Sequence, residues 1–420
     1  MPRKKKFSLF EAILTVICVV FVAEAAPIVA GIGNQQYFWW IFLIITFLLP
    51  YGLFAAELST TYQDEGGLYD WVKRAFGKRW GARVSWYYWI NFPLWMASLG
   101  LLFPATINLL TQKTDEAGDI ISEGIVGTWE GVGIALVFIW IVTFISFLHA
   151  SESKWILNLS AVLKILLALS LVVLSVMVLS EKGMVNDMSF STFAPDLSLA
   201  GLGSISIILF NFMGFEVMAG YTQDMDHPKR QLPTAIIAGG IAIAAIYVLC
   251  SFGIGVAIPY DEISKAGGLV EAVQILSGNP TGLVVIVVAI LFLITLFGNM
   301  ISWSYGVNYV ADYAAKNGDM PKFFSIESKK NGMPIGASIA NGIFASAVVI
   351  ISGFMSGEAS DIFWSFFGLS VITLLFSYIP MFPALLKLRK SDPSVERPYK
   401  VPGGPVMLRL MCWIPVLLLI

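Results

Sequence analysis

Three charged side chains lie inside long apolar runs, where each needs a partner, a proton or a route to water. Glu216 follows Asn211-Phe212-Met213-Gly214-Phe215 about 13 residues into its run, or ~20 Å along a helix axis, so its short side chain reaches neither interface. Such a carboxyl either bonds a neighbouring helix in its protonated form or serves as a gate, a proton carrier or a substrate-orienting group. Glu24, within Ala23-Glu24-Ala25-Ala26-Pro27, presents the same choice. Lys164 stands two to three turns inside another run, Leu157 to Leu167. It either snorkels along a tilted helix or sets its ammonium against carbonyls freed in the first helix, replacing a bound cation there. Glu57 closes the second run near its end, where snorkelling or capping accounts for it as well as function does.

Two of these charges neighbour residues that weaken a helix. The stretch from Ala23 through Pro27 to Gly31 and Gly33 holds a proline and two glycines, and Asn211, Met213, Gly214 and Phe215 interrupt the sixth run at a comparable depth. Backbone freed inside a bilayer must be satisfied by ligand or by neighbouring helices, so two interruptions at matching depth point to a midplane binding site. Phe210, one turn before Gly214, could close over a ligand there, and Trp303 is a second candidate. Spacing alone does not raise either above a packing aromatic. Trp39, Trp40, Trp86, Tyr87 and Tyr88 suit interfacial belts.

The elements that must position these residues follow from composition. Of 420 residues 57% are hydrophobic and 13% charged, with a mean hydropathy of +0.78, which excludes a soluble globular enzyme and a disordered or coiled-coil chain. Spans are expected near 9–33, 38–60, 84–110, 129–148, 155–179, 203–222, 234–258, 282–310, 335–354 and 361–386. An eleventh starts near Val406 and stops at Ile420 before it can cross, so the expected 12 helices have the last truncated or absent here. Lys and Arg number 21 in one set of loops and 3 in the other, with Lys164 and Arg409 inside helices, which places the N-terminus in the cytoplasm. The basic N-terminus and its apolar stretch lack a signal-peptide cleavage site and read as a retained first helix. Ten helices form two sets of five, and because five is odd the second set is inverted. The expected units are residues 1–180, 203–390 and a closing segment 391–420. Two histidines, His149 and His227, and the apolar-segment cysteines Cys18, Cys250 and Cys412 cannot build a metal site, and no disulfide-linked partner subunit is expected. A net charge of -2 gives no reason to expect a nucleic-acid partner.

Several motifs, in order, resemble the amino acid, polyamine and organocation transporter superfamily. They are Ala55-Ala56-Glu57-Leu58; Asp64-Glu65-Gly66-Gly67-Leu68-Tyr69-Asp70-Trp71-Val72; Gly214-Phe215-Glu216 with Asp226-His227-Pro228-Lys229-Arg230-Gln231-Leu232-Pro233; and Arg397-Pro398-Tyr399-Lys400-Val401-Pro402-Gly403-Gly404. Pro50-Tyr51-Gly52-Leu53-Phe54 and Ile301-Ser302-Trp303 look most like its glutamate/γ-aminobutyrate antiporter branch. The resemblance implies an all-α membrane protein with a LeuT-like five-plus-five inverted repeat and substrate held at the breaks of helices 1 and 6. It implies an aromatic gate at Phe210, a substrate-facing Trp303, and Lys164 at the position of a coupling sodium. Phe92 and Trp95 match substrate-facing positions of helix 3. The chain departs from the pattern twice: helix 1 has Glu24 to Pro27 in place of the usual glycine-rich break, and Asn299 stands where that branch carries an acid. The exact substrate is therefore not inherited.

The expected function is a sodium-independent secondary transporter, an antiporter or proton-coupled symporter, of an amino acid or its amine product across the cytoplasmic membrane. A glutamate/γ-aminobutyrate exchanger proper and a polyamine uptake system stand beside it, and a channel or non-transporting sensor is the reading from another class. Polar groups gathered at two breaks, rather than along a continuous pore, favour the transporter. No phosphate-binding motif supplies nucleotide energy and no nucleophile–base pair supports an enzyme, so no cofactor is expected. An ionised Glu24 would favour an ammonium and disfavour a second carboxylate, which sets a zwitterion or amine above glutamate.

Overall fold

The computed structural model describes residues 7–23, 25–64, 66–111, 124–263, 268–354 and 359–420. The first apolar run is two helices, α1 (Leu9–Val20) and α2 (Ala25–Ala30), with Ser8 and Glu11 forming a capping box at the start of α1. Next, α3 (Gln35–Leu43) passes through a π-helical turn (Ile44–Leu48) into α4 (Leu49–Thr61). Pro50 has no N–H to return to Thr46, and the chain widens by one residue there. Then come α5 (Gly67–Phe76), α6 (Lys78–Thr111), α7 (Trp129–Ile145) and α8 (Ala150–Lys182). The second half repeats the broken first element as α9 (Leu199–Phe210) and a 3-10 helix (Phe215–Asp224). It continues through α10 (Pro228–Ala257), α11 (Gly268–Ser277), α12 (Leu283–Lys316), α13 (Ile335–Ser352) and α14 (Ala359–Tyr378), and α15 (Met381–Ser391) and α16 (Gly404–Leu418) close the described chain. Among the described residues, seven helical runs are long and apolar enough to cross a membrane.

The expected spans all fall on helices, and the differences have local causes. Residues 67–76 and 268–277, which lie outside the expected spans, form α5 and α11. Neither is long enough to span, and α5 is amphipathic, burying Leu68, Tyr69, Trp71, Val72 and Ala75 while Lys73 and Arg74 close its last turn. The tenth span turns at Ile379 and Pro380, so α15 is a separate helix. In helix 1 the described unwound residues are Phe21, Val22 and Ala23, while Pro27 sits in the first turn of α2, where its missing N–H costs nothing.

The helices that hold the deep charges present lipid-facing rows on their other sides. On α8, Trp155, Leu159, Val162, Leu166, Leu169, Val173 and Val176 are exposed at helical spacing, and Ser160, Lys164, Leu171 and Ser175 are buried on the opposite face. The basic face is laced by charge. Asp319 takes Lys73 at 2.8 Å, Lys78 at 3.4 Å and the Tyr69 hydroxyl at 2.6 Å, tying α5 to the end of α12. Glu57, 1% exposed, accepts both guanidinium arms of Arg389, lies 3.5 Å from Arg397, and takes the Val401 N–H at 2.7 Å. It neither snorkels nor caps, because a carboxylate at that depth is held by two guanidinium groups.

Candidate functional site

A helix that stops inside a bilayer leaves its last carbonyls without intrahelical partners. At the end of α1 they are taken by side chains from three other helices. Lys164 of α8 donates to Cys18 O at 2.6 Å and to Phe21 O; Trp303 Nε1 of α12 donates to Val19 O at 2.8 Å; the Tyr247 hydroxyl of α10 reaches Val20 O at 3.4 Å and accepts the Val22 N–H at 2.7 Å. Lys164 is 1% exposed and makes a third bond to Asn299 Oδ1 at 3.0 Å. Snorkelling is thereby ruled out: the ammonium lies on the freed carbonyls, where the negative end of α1 favours a cation.

The break after α9 is built differently. Gly214 has φ +123°, a conformation other residues rarely adopt, and a Cβ there would come within 3.0 Å of both Trp303 Cζ2 and Val19 Cγ1. The N–H groups of Gly214 and Phe215 both donate to the Tyr51 hydroxyl, at 3.0 and 2.8 Å. Tyr51 in turn donates to Glu216 Oε2, Tyr88 donates to Glu216 Oε1 at 2.7 Å, and the Tyr378 hydroxyl is 3.4 Å from that of Tyr51. Glu216 is therefore the acceptor of a tyrosine cluster from α4, α6 and α14.

Aromatic rings surround these two breaks. Trp95 stands edge-on to Phe210 at 5.2 Å and to Trp303 at 5.4 Å, Phe210 meets Phe367 at 5.0 Å, and Tyr88 lies 6.3 Å from Trp303. Several polar atoms here are buried without a partner among the described residues: both amide atoms of Asn211, Trp95 Nε1, Asn91 Oδ1 and Asn299 Nδ2. In a packed site such atoms are where a ligand's hydrogen bonds would be made.

The structure thus brings Trp95, Phe210, Asn211, Gly214, Glu216, Asn299, Lys164 and Trp303 to the two breaks. Ala23, Ala26 and Met213 are buried there as well. Others stand apart: Phe92 is buried on α6 without a ring contact to the cluster among the described residues, and Pro27 packs against Gly268 at the start of α11. Phe215 turns towards Gly52 and Gly240, lining an apolar cavity of about 360 Å³ between α4 and α10. Ala25 begins α2, and Glu24 lies outside the described residues. Sequence reasoning missed Tyr51, Tyr247, Tyr378 and Phe367. It also placed Trp39, Trp40 and Tyr88 in an interfacial belt, whereas all three are buried, at 4%, 0% and 1% exposure. A hydroxyl on a buried tyrosine demands a partner, but hydropathy cannot tell a buried tyrosine from a belt tyrosine without knowing which helices pack.

Paired helix breaks enclosing buried charge, within a bundle of membrane-length helices, define a secondary transporter rather than an enzyme. A family model described as amino acid permease matches residues 7–420, and the chain belongs to that family. It is 51% identical over 417 residues to a probable agmatine/putrescine antiporter of Lactococcus lactis, covering 99% of this chain and 87% of that one. It is 22% identical over 425 residues to a glutamate/gamma-aminobutyrate antiporter of the same bacterium, covering 99% and 82%. A probable polyamine transporter of Arabidopsis thaliana is 25% identical over 405 residues, with 95% and 75% covered.

Proposed function

We propose that the protein exchanges cationic amines, with agmatine and putrescine as the expected pair, across the cytoplasmic membrane by alternating access and without sodium. The observation that carries this reading is the occupation of the helix 6 break by Tyr51. Two exposed N–H groups at a helix start would greet a substrate carboxylate, and here both are already bonded to the Tyr51 hydroxyl. What remains open to a ligand is aromatic faces, the Trp95 indole and the Asn211 amide, with no free N–H pair for a carboxylate, a set that favours an ammonium or guanidinium group. Sodium is dispensed with because the Lys164 ammonium already covers the α1 carbonyls. The similarity to the agmatine/putrescine antiporter supports the substrate class independently of the geometry.

In this reading the basic face is cytoplasmic, residues 1–180 and 203–390 are the two inverted halves, 391–420 is a cytoplasmic loop and the start of an eleventh helix, and Glu216 gates the site and carries any coupled proton. The test is counterflow in proteoliposomes. Vesicles loaded with unlabelled putrescine in sodium-free buffer should accumulate labelled agmatine, and amines should compete better than glutamate. Accumulation that needs sodium, or stronger competition by glutamate than by either amine, refutes the proposal.

A further inference from the structure

Phe215 opens the 3-10 helix and follows the glycine at which the sixth run breaks. Its neighbour Glu216 is held by tyrosines of α4 and α6, while the Phe215 ring lies between α4 and α10 and rests on bare backbone. A Cβ at Gly52 would stand 3.5 and 3.6 Å from Phe215 Cε2 and Cδ2, and one at Gly240 would stand 3.2 Å from Cζ. Tyr51, which joins the Gly214 and Phe215 N–H groups to Glu216, packs its own ring 5.2 Å from that of Phe215. Phe215 and Glu216 share a rigid peptide unit, so a movement that withdraws the carboxyl from the tyrosines carries the ring with it. Withdrawal from α6 and α14 shifts the segment towards α10, the side on which the ring already lies. There is room for it: the cavity of about 360 Å³ beside the ring is lined among others by Ile44, Leu48, Leu53, Ile236, Ile241 and Ala244, and among the described residues no polar side chain lines it. About 150 Å³ of apolar space holds a benzene ring, so a phenyl group enters this cavity without losing a hydrogen bond.

We propose that Phe215 is a positioning residue of the exchange cycle: as the 3-10 helix turns about Gly214 to part Glu216 from the tyrosines, the ring leaves its seat on Gly52 and Gly240 and enters the cavity, whose depth sets how far the helix turns. The role rests on the alternating access proposed above. It acts through Glu216 and Tyr51 and calls for no contact between Phe215 and the substrate. Gly52 and Gly240 serve it by leaving the ring a smooth floor, since a Cβ on Gly240 already presses on the ring in its present seat.

Ala244 lines the cavity, whereas its neighbour Ala245 is exposed and does not. A244F fills the space from α10, and A245F makes the same change outside it. Counterflow of labelled agmatine against putrescine should fall about tenfold in A244F, a factor typical of overpacking in the state that must accommodate the ring, and should be unaltered in A245F. The smaller A244L should show the same loss to a lesser degree. F215L in the A244F background needs less room and should recover exchange, a rescue that a general packing defect does not give. Hydrogen exchange at the amides of 214–219, followed without substrate, reads the same opening and should slow in A244F. Equal losses in A244F and A245F, or no recovery with F215L, would overturn the role of Phe215. The two proposals fail separately: an unmodified protein without amine counterflow defeats the amine reading, whereas amide exchange at 214–219 that A244F leaves unchanged defeats the role of Phe215 whatever the substrate.

Discussion

Replacing Lys164 by alanine removes the one group that satisfies Cys18 O, Phe21 O and Asn299 Oδ1 together. A hydrogen bond from a charged donor contributes about 1.5–3 kcal/mol in water-soluble proteins, and bonds inside membranes average less because the alternative states also find partners. Taking the lower figure for the two carbonyl bonds gives about 3 kcal/mol, a factor of roughly 150 in the population of the arrangement with α1 capped. The helix would remain inserted, since its apolar outer face is unchanged. Lys164→Ala should therefore reach the membrane and bind detergent normally, melt lower, and lose amine counterflow to below a tenth of the unmodified rate. Sodium, added to the variant, should recover part of the thermal stability by occupying the vacated carbonyls. The assay is counterflow in proteoliposomes paired with fluorescence-detected unfolding, each with and without sodium. Unmodified exchange rates and an unchanged midpoint in Lys164→Ala would show that the ammonium is ordinary packing and that sodium independence has another cause.

Further expectations concern the second break and the basic face. Tyr51→Phe frees the N–H groups of Gly214 and Phe215, so carboxylate competitors should gain potency relative to amines by severalfold in the counterflow panel. Glu216→Gln keeps the shape of the tyrosine cluster but abolishes its titration; uptake measured from pH 5 to 8 should lose its pH dependence, and a retained profile would move proton coupling elsewhere. Gly214→Ala forces a Cβ against Trp303 and Val19 at positive φ, costing about 1–3 kcal/mol in strain, and should lower the unfolding midpoint and exchange together. At Asp319, burial raises the carboxyl pKa, but the Lys73 and Tyr69 bonds outweigh it and hold the group below its ordinary 3.8. The folded-state pKa is thus depressed, so the stabilisation is present at neutral pH and is lost as pH falls through the carboxylate range. Asp319→Asn should melt below the unmodified protein at pH 7, with the difference shrinking as the pH drops under 4.

What the sequence determined by itself was everything that a single chain segment decides against a bilayer. Span lengths follow from the apolar runs, the expected sidedness from 21 basic residues against 3, and the break of the sixth run from asparagine and glycine set inside apolar sequence. The depth of Glu216 and Lys164 was legible for the same reason, because distance along a helix is counted in residues. Which groups meet was not legible. Lys164 lies 146 residues from Cys18 and Tyr88 lies 128 from Glu216, and no local period connects them. The tertiary structure alone decided that Tyr51 would quench the N–H groups of the helix 6 break, that Tyr88 would be buried rather than interfacial, and that Asn299 would hold the lysine. In a bilayer hydrophobicity does not drive helices together, so their pairing rests on close packing and on hydrogen bonds between distant segments. Those are properties of assembled surfaces, and the candidate site exists only once six other helices have been brought to the two breaks.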